Sequence, residues 1–429
     1  MESKNRTFLC IDMKTFYASV ECAERGLNPF ETNLVVADKS RGKNALCLAI
    51  SPKMKAQGVK NRCRLSEIPK GIKYEIALPR MQLYIDYAAD IYDIYLDYFD
   101  PADIHVYSID ESFIDVTDYL RMYNMTARQM AKMLMNEIAN RKQIPSTAGI
   151  GTNLFLAKVA LDITAKHSTD HMGYLDEEEF KRTLWDHTPI TDFWMIARGT
   201  ANRLARYGIT TMRGVANAPV ELLHRLFGIN YELLYDHAWG REPCLISDIK
   251  EYKGKSQSVS FSQILPRDYT YEEAKTVLIE MVQHGCLEMM RRHVITHHVS
   301  FFAGYSHDEF EPAKGSAKMV ETTALFSKIC PYVERLYEAK VNRNMPIRRL
   351  GLCFDDVCDE GCEGYDLFTN FEEVEKEKAQ ERAVLEIKDR FGKNAILRGT
   401  NFMKGATQRE RNEMIGGHRA GYDDPKRKS

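Results

Sequence analysis

Three acidic residues interrupt apolar, strand-like segments in the first third of the chain. Asp12 ends the apolar run over residues 8–11, and Asp110 and Glu111 lie within a second run of alternating apolar residues. Because successive strand residues point to opposite faces, Asp110 and Glu111 cannot both be ordinary core or ordinary surface residues. If the two strands lie side by side, Asp12 and Asp110 converge.

Converging carboxylates favour a chemistry that uses metal ions. Two carboxylates about 4 Å apart repel by ~4 kcal/mol at an effective dielectric constant of ~20. A divalent cation removes that penalty, and sites built from oxygen atoms alone favour Mg²⁺. Two such ions ~3.5–4 Å apart can stabilise the attacking and leaving oxygens of a phosphoryl transfer. The same residues could also be solvated acids at strand ends, and spacing alone leaves both interpretations open.

The elements that must position these acids can be predicted from the spacing of apolar residues. Tyrosines and isoleucines at three- and four-residue steps predict a helix over 81–98, which Pro101 ends. A β-hairpin follows, and residues 108–111 are expected inside its strand run. For this half of the chain we predict strands over 1–13, 33–37, 103–107 and 112–116, and helices over 14–26, 81–98 and 126–141.

The second half of the chain has a different pattern of predicted secondary structure. From residue 190, short helices with tight turns predict an all-helical module that ends near 239–240, and the polar stretch 249–256 predicts a linker. Beyond it, the order strand-helix-strand-strand-helix-strand predicts an α+β layer with helices on one face of a sheet. A charged helix over 371–391 could bind a partner or fold back. The expected fold class is therefore a multidomain α+β protein.

Composition narrows the class of protein. A chain of 429 residues suggests about two to four domains, and 44% hydrophobic with 28% charged residues excludes a disordered or fibrous protein. No apolar run approaches ~18 residues and no signal-peptide pattern opens the chain. Ten scattered cysteines fit a reducing cytosol, so a cytoplasmic location is expected. The net charge of −2 means that any nucleic-acid surface must come from local segregation of charge.

Two segments resemble the palm motifs of Y-family translesion DNA polymerases, especially the UmuC-like (ImpB/MucB/SamB) group of bacterial DNA-repair polymerases. They are residues 11–21, IDMKTFYASVE, and residues 107–113, YSIDESF. The likeness extends from residue 8 to about residue 354 and implies a right-hand polymerase fold. The implied parts are a palm over 1–174 with fingers inserted at about 14–79, a thumb over 175–248, a linker over 249–256, a DNA-binding little finger over 257–358 and a C-terminal tail over 359–429.

The resemblance implies a role for each acid in the two motifs. Asp12, Asp110 and Glu111 would be the catalytic residues and would hold two Mg²⁺ ions. The main-chain carbonyl of Met13 would be a further metal ligand. Family members often carry an acid where Lys14 stands, and that position is not expected to bind metal.

Tyr17 falls at the position of the family's steric gate, five residues after Asp12. An aromatic ring under the sugar would collide with a ribose 2′-hydroxyl and so select deoxynucleotides. Phe16 would pack beside it in the substrate-binding site. Ordinary core packing of an amphipathic helix is the alternative interpretation for both rings.

The triphosphate needs cations, and here the chain departs from the family pattern. Lys166 matches the lysine that reaches the triphosphate, whereas Lys158 is expected to be structural or solvated. Many relatives carry Tyr-x-x-Arg in the fingers, and this chain has Pro52 and Lys55 at those positions. Lys55 could supply charge but not a bidentate fork. A neighbouring residue would have to compensate, or the nucleotide would bind more weakly.

Two further segments resemble binding modules of the family. Residues 192–209 are similar to the thumb's helix-hairpin-helix, in which N–H groups at a helix start, here Arg198, Gly199 and Thr200, bind a DNA phosphate. Met195 and Ala197 replace its usual glycines, and a tight turn between packed helices is the alternative interpretation. Residues 364–368, GYDLF, look like the pentapeptide that docks bacterial polymerases onto the sliding clamp, with Leu367 and Phe368 as its apolar anchors.

The expected function is error-prone, template-directed DNA synthesis past damaged bases, in which a primer 3′-hydroxyl attacks the α-phosphate of a deoxynucleotide. The implied partners are primer-template DNA, dNTP and the sliding clamp, with no membrane, and the chain is expected to be monomeric outside the replication complex. One alternative is a catalytically idle accessory protein that binds DNA and the clamp. The other is a palm-type nucleotidyl cyclase, which would need neither Tyr17 nor residues 192–209.

Overall fold

The computed structural model describes residues 6–254, 257–306, 309–364 and 369–421. The described residues fall into two compact units, one within 1–252 and 421–429 and the other within 253–420. Among them, no helix has both the length and the apolar character needed to cross a membrane. The clamp-like residues Leu367 and Phe368 lie outside the described residues.

The first unit is built around a five-stranded sheet with the strand order β5-β6-β1-β7-β8. β1 lies in the centre and is antiparallel to both β6 and β7, whereas β7 and β8 are parallel. A smaller sheet has the order β3-β2-β4. The strands are β1 (Phe8–Met13), β2 (Leu34–Val36), β3 (Ala49–Ile50), β4 (Glu75–Ala77), β5 (Ile104–Val106), β6 (Glu111–Asp115), β7 (Ser146–Gly151) and β8 (Met172–Leu175).

The helices of this unit include the predicted tyrosine-rich helix and the predicted all-helical module. They are α1 (Phe16–Ala23), α2 (Pro52–Ala56), α3 (Met81–Leu96), α4 (Thr117–Met122), α5 (Ala127–Lys142), α6 (Leu154–Val159), α7 (Glu177–Thr183), α8 (Arg198–Ala205), α9 (Met212–Ala216), α10 (Val220–Phe227), α11 (Tyr231–Ala238) and α12 (Ile246–Glu251). Leu204, Met212, Val215 and Leu223 belong to one buried cluster, which holds the module together.

Two predictions about this unit are wrong in detail. Residues 108–110 form a turn rather than part of a strand, because the N–H groups of Tyr107 and Ser108 both donate to the carbonyl of Glu111. The first residues of the predicted linker 249–256 belong to α12. The buried side chain of Ile246 packs in a cluster with Phe8, and this contact keeps the segment helical.

The second unit is a four-stranded antiparallel sheet with the order β11-β10-β12-β9, against which two helices pack. Its elements follow the predicted order. They are β9 (Val259–Tyr269), α13 (Tyr271–Arg291), β10 (Val294–Tyr305), β11 (Ala313–Thr323), α14 (Phe326–Lys340) and β12 (Ile347–Asp355), with the short strand β13 (Cys358–Asp359) paired to β10.

The charged C-terminal helix folds back, as one of the two interpretations of the sequence predicted. α15 (Phe371–Phe391) begins at the cap Asn370, and the hydroxyl of Ser327 donates to Glu377 at 2.6 Å. After α15, residues 392–420 continue over α13, where the carboxylate of Glu280 is buried beneath them. The second unit therefore includes most of the segment that was expected to be a tail.

Candidate active site

The three acids of the two motifs meet at one end of the central strands. Because β1 and β6 pair in antiparallel register, Asp12 lies opposite Glu111. The backbone N–H of Met13 donates to the carbonyl of Asp110 at 2.9 Å, which holds the turn against the end of β1. The two strands therefore lie side by side, which is the condition for the predicted convergence of Asp12 and Asp110, and Asp12 is the one residue of β1 that is not fully buried.

Glu111 is buried and engaged by two neighbours. Its exposed fraction is 7%, and Lys158 Nζ lies 2.8 Å from Oε1 and 2.9 Å from Oε2. The thiol of Cys10 donates to Oε1 at 3.0 Å. Lys158 also lies 3.0 Å from Asp162 Oδ2, so this lysine bridges two carboxylates. Burial lowers the pKa of Lys158, but Glu111 and Asp162 raise it by more, and the ammonium stays charged.

Asp12 is the acid of the site whose pKa is shifted by its surroundings. Burial, followed by repulsion from Asp110 and Glu111, raises the pKa of Asp12 to about 7. Asp110 has a different environment, since its Oδ1 accepts a hydrogen bond from the Ser108 hydroxyl at 2.7 Å. Three carboxyl groups therefore act on one another here, and Lys158 is the cation that offsets their repulsion at Asp12.

This charge and the all-oxygen donors fit a hard divalent cation such as Mg²⁺. In the part of the chain that the structure describes, however, no three His, Cys, Asp or Glu side chains are already arranged as a metal site. The contact of Glu111 with Lys158 gives a physical reason, because both oxygens of that carboxylate are engaged. The donor atoms thus suit the ion, whereas Glu111 would have to leave its contact with Lys158 to bind it.

The raised pKa of Asp12 predicts that the stability of the protein without bound metal depends on pH. A carboxyl whose folded pKa is raised to about 7 destabilises the fold as pH rises from ~4 to ~7. We expect Asp12→Asn to stabilise the protein by roughly 2–4 kcal/mol at pH 8 in EDTA and by much less at pH 5. Urea unfolding of both proteins at the two pH values measures this. An equal difference at both would contradict the prediction.

Tyr17 lies next to the acids, and its ring is fixed by a stack. Burial and then the charge of Asp110 raise the pKa of the Tyr17 hydroxyl. Its ring stacks on Tyr84 with centroids 4.5 Å apart and an interplanar angle of 18°. The Tyr84 hydroxyl donates to Glu21 at 2.8 Å. Phe16 has its ring centroid 5.8 Å from that of Tyr17 and is buried, so Phe16 packs in the core beside the partly exposed tyrosine.

Three further lysines of this unit bear on the predicted binding of the triphosphate. The side chain of Lys166 is 64% exposed and its Nζ lies 3.9 Å from Asp162, one π-helical turn after α6. Lys55 lies on α2, where Pro52 occupies the first turn and so needs no backbone donor. Burial and then the charge of Lys55 lower the pKa of Lys14, which means that these two ammonium groups are close.

The candidate DNA-binding residues occupy the first turn of α8. Arg198 and Gly199 are exposed and Thr200 is partly exposed, and no side chain caps this helix start. Met195, which stands where the motif usually has glycine, adopts a left-handed φ of 66°. That conformation is uncommon for a residue with a side chain, so the hairpin keeps the glycine-type backbone without the glycine.

Sequence reasoning missed three side chains that shape this site. Cys10 looked like an ordinary core residue, Tyr84 like one more apolar position of its helix, and Lys158 like a structural or solvated cation. Lys158 is structural, but its partner is one of the candidate catalytic acids. The four-residue spacing of Lys158 and Asp162 was a signal in the sequence for the ion pair between these two residues. Nothing in the sequence indicated the ion pair between Lys158 and Glu111.

Comparison with known proteins agrees with this architecture. Residues 11–162 match the profile described as "impB/mucB/samB family", and residues 256–367 match "impB/mucB/samB family C-terminal domain". A putative UV-damage repair protein UvrX of Bacillus subtilis (strain 168) is 30% identical, covering 97% of this chain and 98% of the relative. DNA polymerase IV 2 of the same organism is 30% identical over 97% of this chain and 99% of its own length.

A solved structure supports the same fold. A Y-family DNA polymerase chimera built from Dbh and Dpo4 aligns with a TM-score of 0.64 and 19% identity, covering 82% of this chain and 99% of the chimera. At that identity the likeness concerns the fold. Together with the two profiles and the relatives that match over nearly their whole length, it leads to one assignment. The chain belongs to the Y family of DNA polymerases, within the impB/mucB/samB group.

Proposed function

We propose that this chain is a template-directed DNA polymerase that carries out translesion synthesis. The observation that carries the proposal is the meeting of Asp12, Asp110 and Glu111 at the end of β1 and β6, with the Tyr17 ring beside them. The relatives named DNA polymerase IV and UV-damage repair protein support the same assignment.

In the proposed reaction the protein mainly positions charged groups. Asp12, Asp110, Glu111 and the carbonyl of Met13 would hold two Mg²⁺ ions. These ions would supply the positive charge that activates the primer 3′-hydroxyl and stabilises the leaving pyrophosphate. Burial of Asp12 and its repulsion by Asp110 and Glu111, which together raise the pKa of Asp12, are the reason why the site would take up cations.

The remaining side chains would recognise the nucleotide and the DNA. Tyr17 would lie under the deoxyribose, and Lys55 and Lys166 would bind the triphosphate as point charges. The exposed N–H groups at the start of α8 would bind a DNA phosphate without reading sequence. Such contacts are salt-sensitive and suit a polymerase that accepts any template. We also propose clamp docking through residues 364–368, which rests on the sequence alone.

Primer extension tests the proposal. The purified chain is incubated with a primed template, the four dNTPs and Mg²⁺, once with an undamaged template and once with an abasic site in the template strand. We expect extension on both, and none without Mg²⁺. Binding of primer-template without any extension would instead favour the idle accessory protein, and template-independent cyclisation of a nucleoside triphosphate would favour the cyclase.

Tyr17→Ala should admit ribonucleotides. Removing the ring opens space for the 2′-hydroxyl, and steric exclusion of a small group is typically worth a factor of roughly 10–200. We therefore expect the ratio of deoxynucleotide to ribonucleotide incorporation efficiency to fall by that factor. Tyr17→Phe keeps the ring and its stack on Tyr84, so it should keep the wild-type ratio. An unchanged ratio in the alanine variant would show that the Tyr17 ring does not exclude ribonucleotides.

A further inference from the structure

The contacts of Lys158 raise a question about how the acidic site accepts a cation. Lys158 is only 8% exposed, so its ammonium group has almost no water to solvate it and needs carboxylate partners. It has two of them, Glu111 at 2.8 Å and Asp162 at 3.0 Å. The ring of Tyr107 lies 6.0 Å from Nζ on a further side.

The two partners differ in accessibility. The side chain of Glu111 is 8% exposed and faces the other acids, whereas that of Asp162 is 30% exposed and lies on the π-helical turn after α6. Because the spacing of Lys158 and Asp162 is four residues on one helical segment, this pair can persist whatever happens at Glu111. Lys158 would therefore remain paired if Glu111 turned to another cation.

We propose that Lys158 is the resident counter-cation of the metal-free site, and that a divalent cation takes Glu111 over from it while Asp162 retains the ammonium. This inference rests on the proposed function, because it assumes that Glu111 is a metal ligand. It explains why, in the described part of the chain, the acids are not already arranged as a metal site, since both oxygens of Glu111 are engaged by Lys158. Lys158 acts through Glu111 and is a positioning residue.

Competition between Lys158 and a divalent cation for Glu111 has a measurable consequence, which differs from that of a lysine that only holds Glu111 in place. Two cations that share one carboxylate weaken each other's binding, so removal of the lysine should make the divalent cation bind more tightly. A lysine that only held Glu111 in a productive orientation would have the opposite effect, since its loss would disorder a ligand. The sign of the change in affinity therefore separates the two roles.

The test measures Mn²⁺ binding to the full chain, without DNA or nucleotide, by the paramagnetic signal of the free ion. We expect Lys158→Gln to lower the dissociation constant at least about tenfold and Lys158→Arg to leave it within about twofold of wild type. Lys14→Gln is the matched control, because it removes a half-buried charge that lies two residues from Asp12 and interacts with Asp12 rather than with Glu111. It should tighten binding by clearly less than Lys158→Gln.

The results that overturn the inference are distinct from those that overturn the proposed function. Equal or weaker Mn²⁺ binding by Lys158→Gln, or an equal gain in Lys14→Gln, would mean that Lys158 does not compete for Glu111. A rise in thermal stability on Mn²⁺ addition, larger for Lys158→Gln than for wild type, provides a second readout. Failure of the wild type to extend primers would reject the polymerase proposal and leave the binding result to be judged on its own.

Discussion

Asp110→Ala is expected to abolish Mg²⁺-dependent primer extension, with a loss of at least ~10³-fold. A bound metal ion stabilises the charge of a phosphoryl-transfer transition state by several kcal/mol, and each 1.36 kcal/mol is a factor of ten. Asp110 lies in the turn before β6, where its carboxylate accepts a hydrogen bond from the Ser108 hydroxyl at 2.7 Å, so alanine removes one local hydrogen bond and disturbs little of the fold. Single-turnover extension at saturating dNTP measures the loss.

Affinity for DNA should survive in the same variant, since it depends on phosphate contacts made elsewhere. We expect the dissociation constant for primer-template to stay within about twofold at matched salt. Asp115→Asn serves as the control, because it removes the same charge from the far end of β6, where Asp115 pairs with Arg6 at 2.9 Å. Extension by Asp110→Ala at a rate near that of wild type would contradict the assignment of Asp110 to the metal site.

The sequence predicted that Asp12 and Asp110 converge if their two strands lie side by side, and the pairing of β1 with β6 meets that condition. It did not predict the turn at residues 108–110, which depends on two backbone hydrogen bonds to one carbonyl. That turn matters for the site, since it removes Asp110 from strand alternation and lets it lie beside the end of β1. Periodicity describes side-chain direction only where the backbone stays regular.

Contacts between distant parts of the chain account for most of what sequence reasoning missed. Glu111 and Lys158 are 47 residues apart, and no local pattern links them. Residues 249–251 were predicted as linker because the stretch 249–256 is mostly polar, whereas Ile246 of α12 is buried in the apolar cluster around Phe8 and Leu245 and Ile249 pack against that cluster. By contrast, the charged helix over 371–391 has local signals at both ends, the cap Asn370 and Gly392, and it was predicted with the observed bounds.

The segment after that helix is the largest part of the fold that sequence reasoning did not predict. Residues 392–420 are polar, yet Asn401 and Thr407 are buried against Glu280 of α13. The amide of Asn401 donates to Glu280 at 2.8 Å and the backbone N–H of Thr407 donates to it at 2.7 Å. Gly405 adopts a φ of +87° and lies so close that a Cβ there would be 2.8 Å from Glu273. The buried carboxylate of Glu280 is thus one of the contacts that hold this segment against α13.

Glu280→Ala should therefore release this segment. The substitution leaves the buried Asn401 amide and the buried Thr407 N–H without an acceptor, at ~1–3 kcal/mol each, so we expect a loss of ~2–6 kcal/mol in the stability of the second unit. Glu280→Gln keeps one acceptor oxygen and should lose less, whereas Glu272→Ala, an exposed position on the same helix, should lose almost nothing. Urea unfolding gives the overall change, and hydrogen exchange of residues 398–412 locates it.

Because the contacts that Glu280 makes with the segment are hydrogen bonds to buried groups, exchange there should accelerate at least ~10-fold in the alanine variant. If residues 398–412 kept wild-type protection in Glu280→Ala, the segment would be held by its apolar contacts instead.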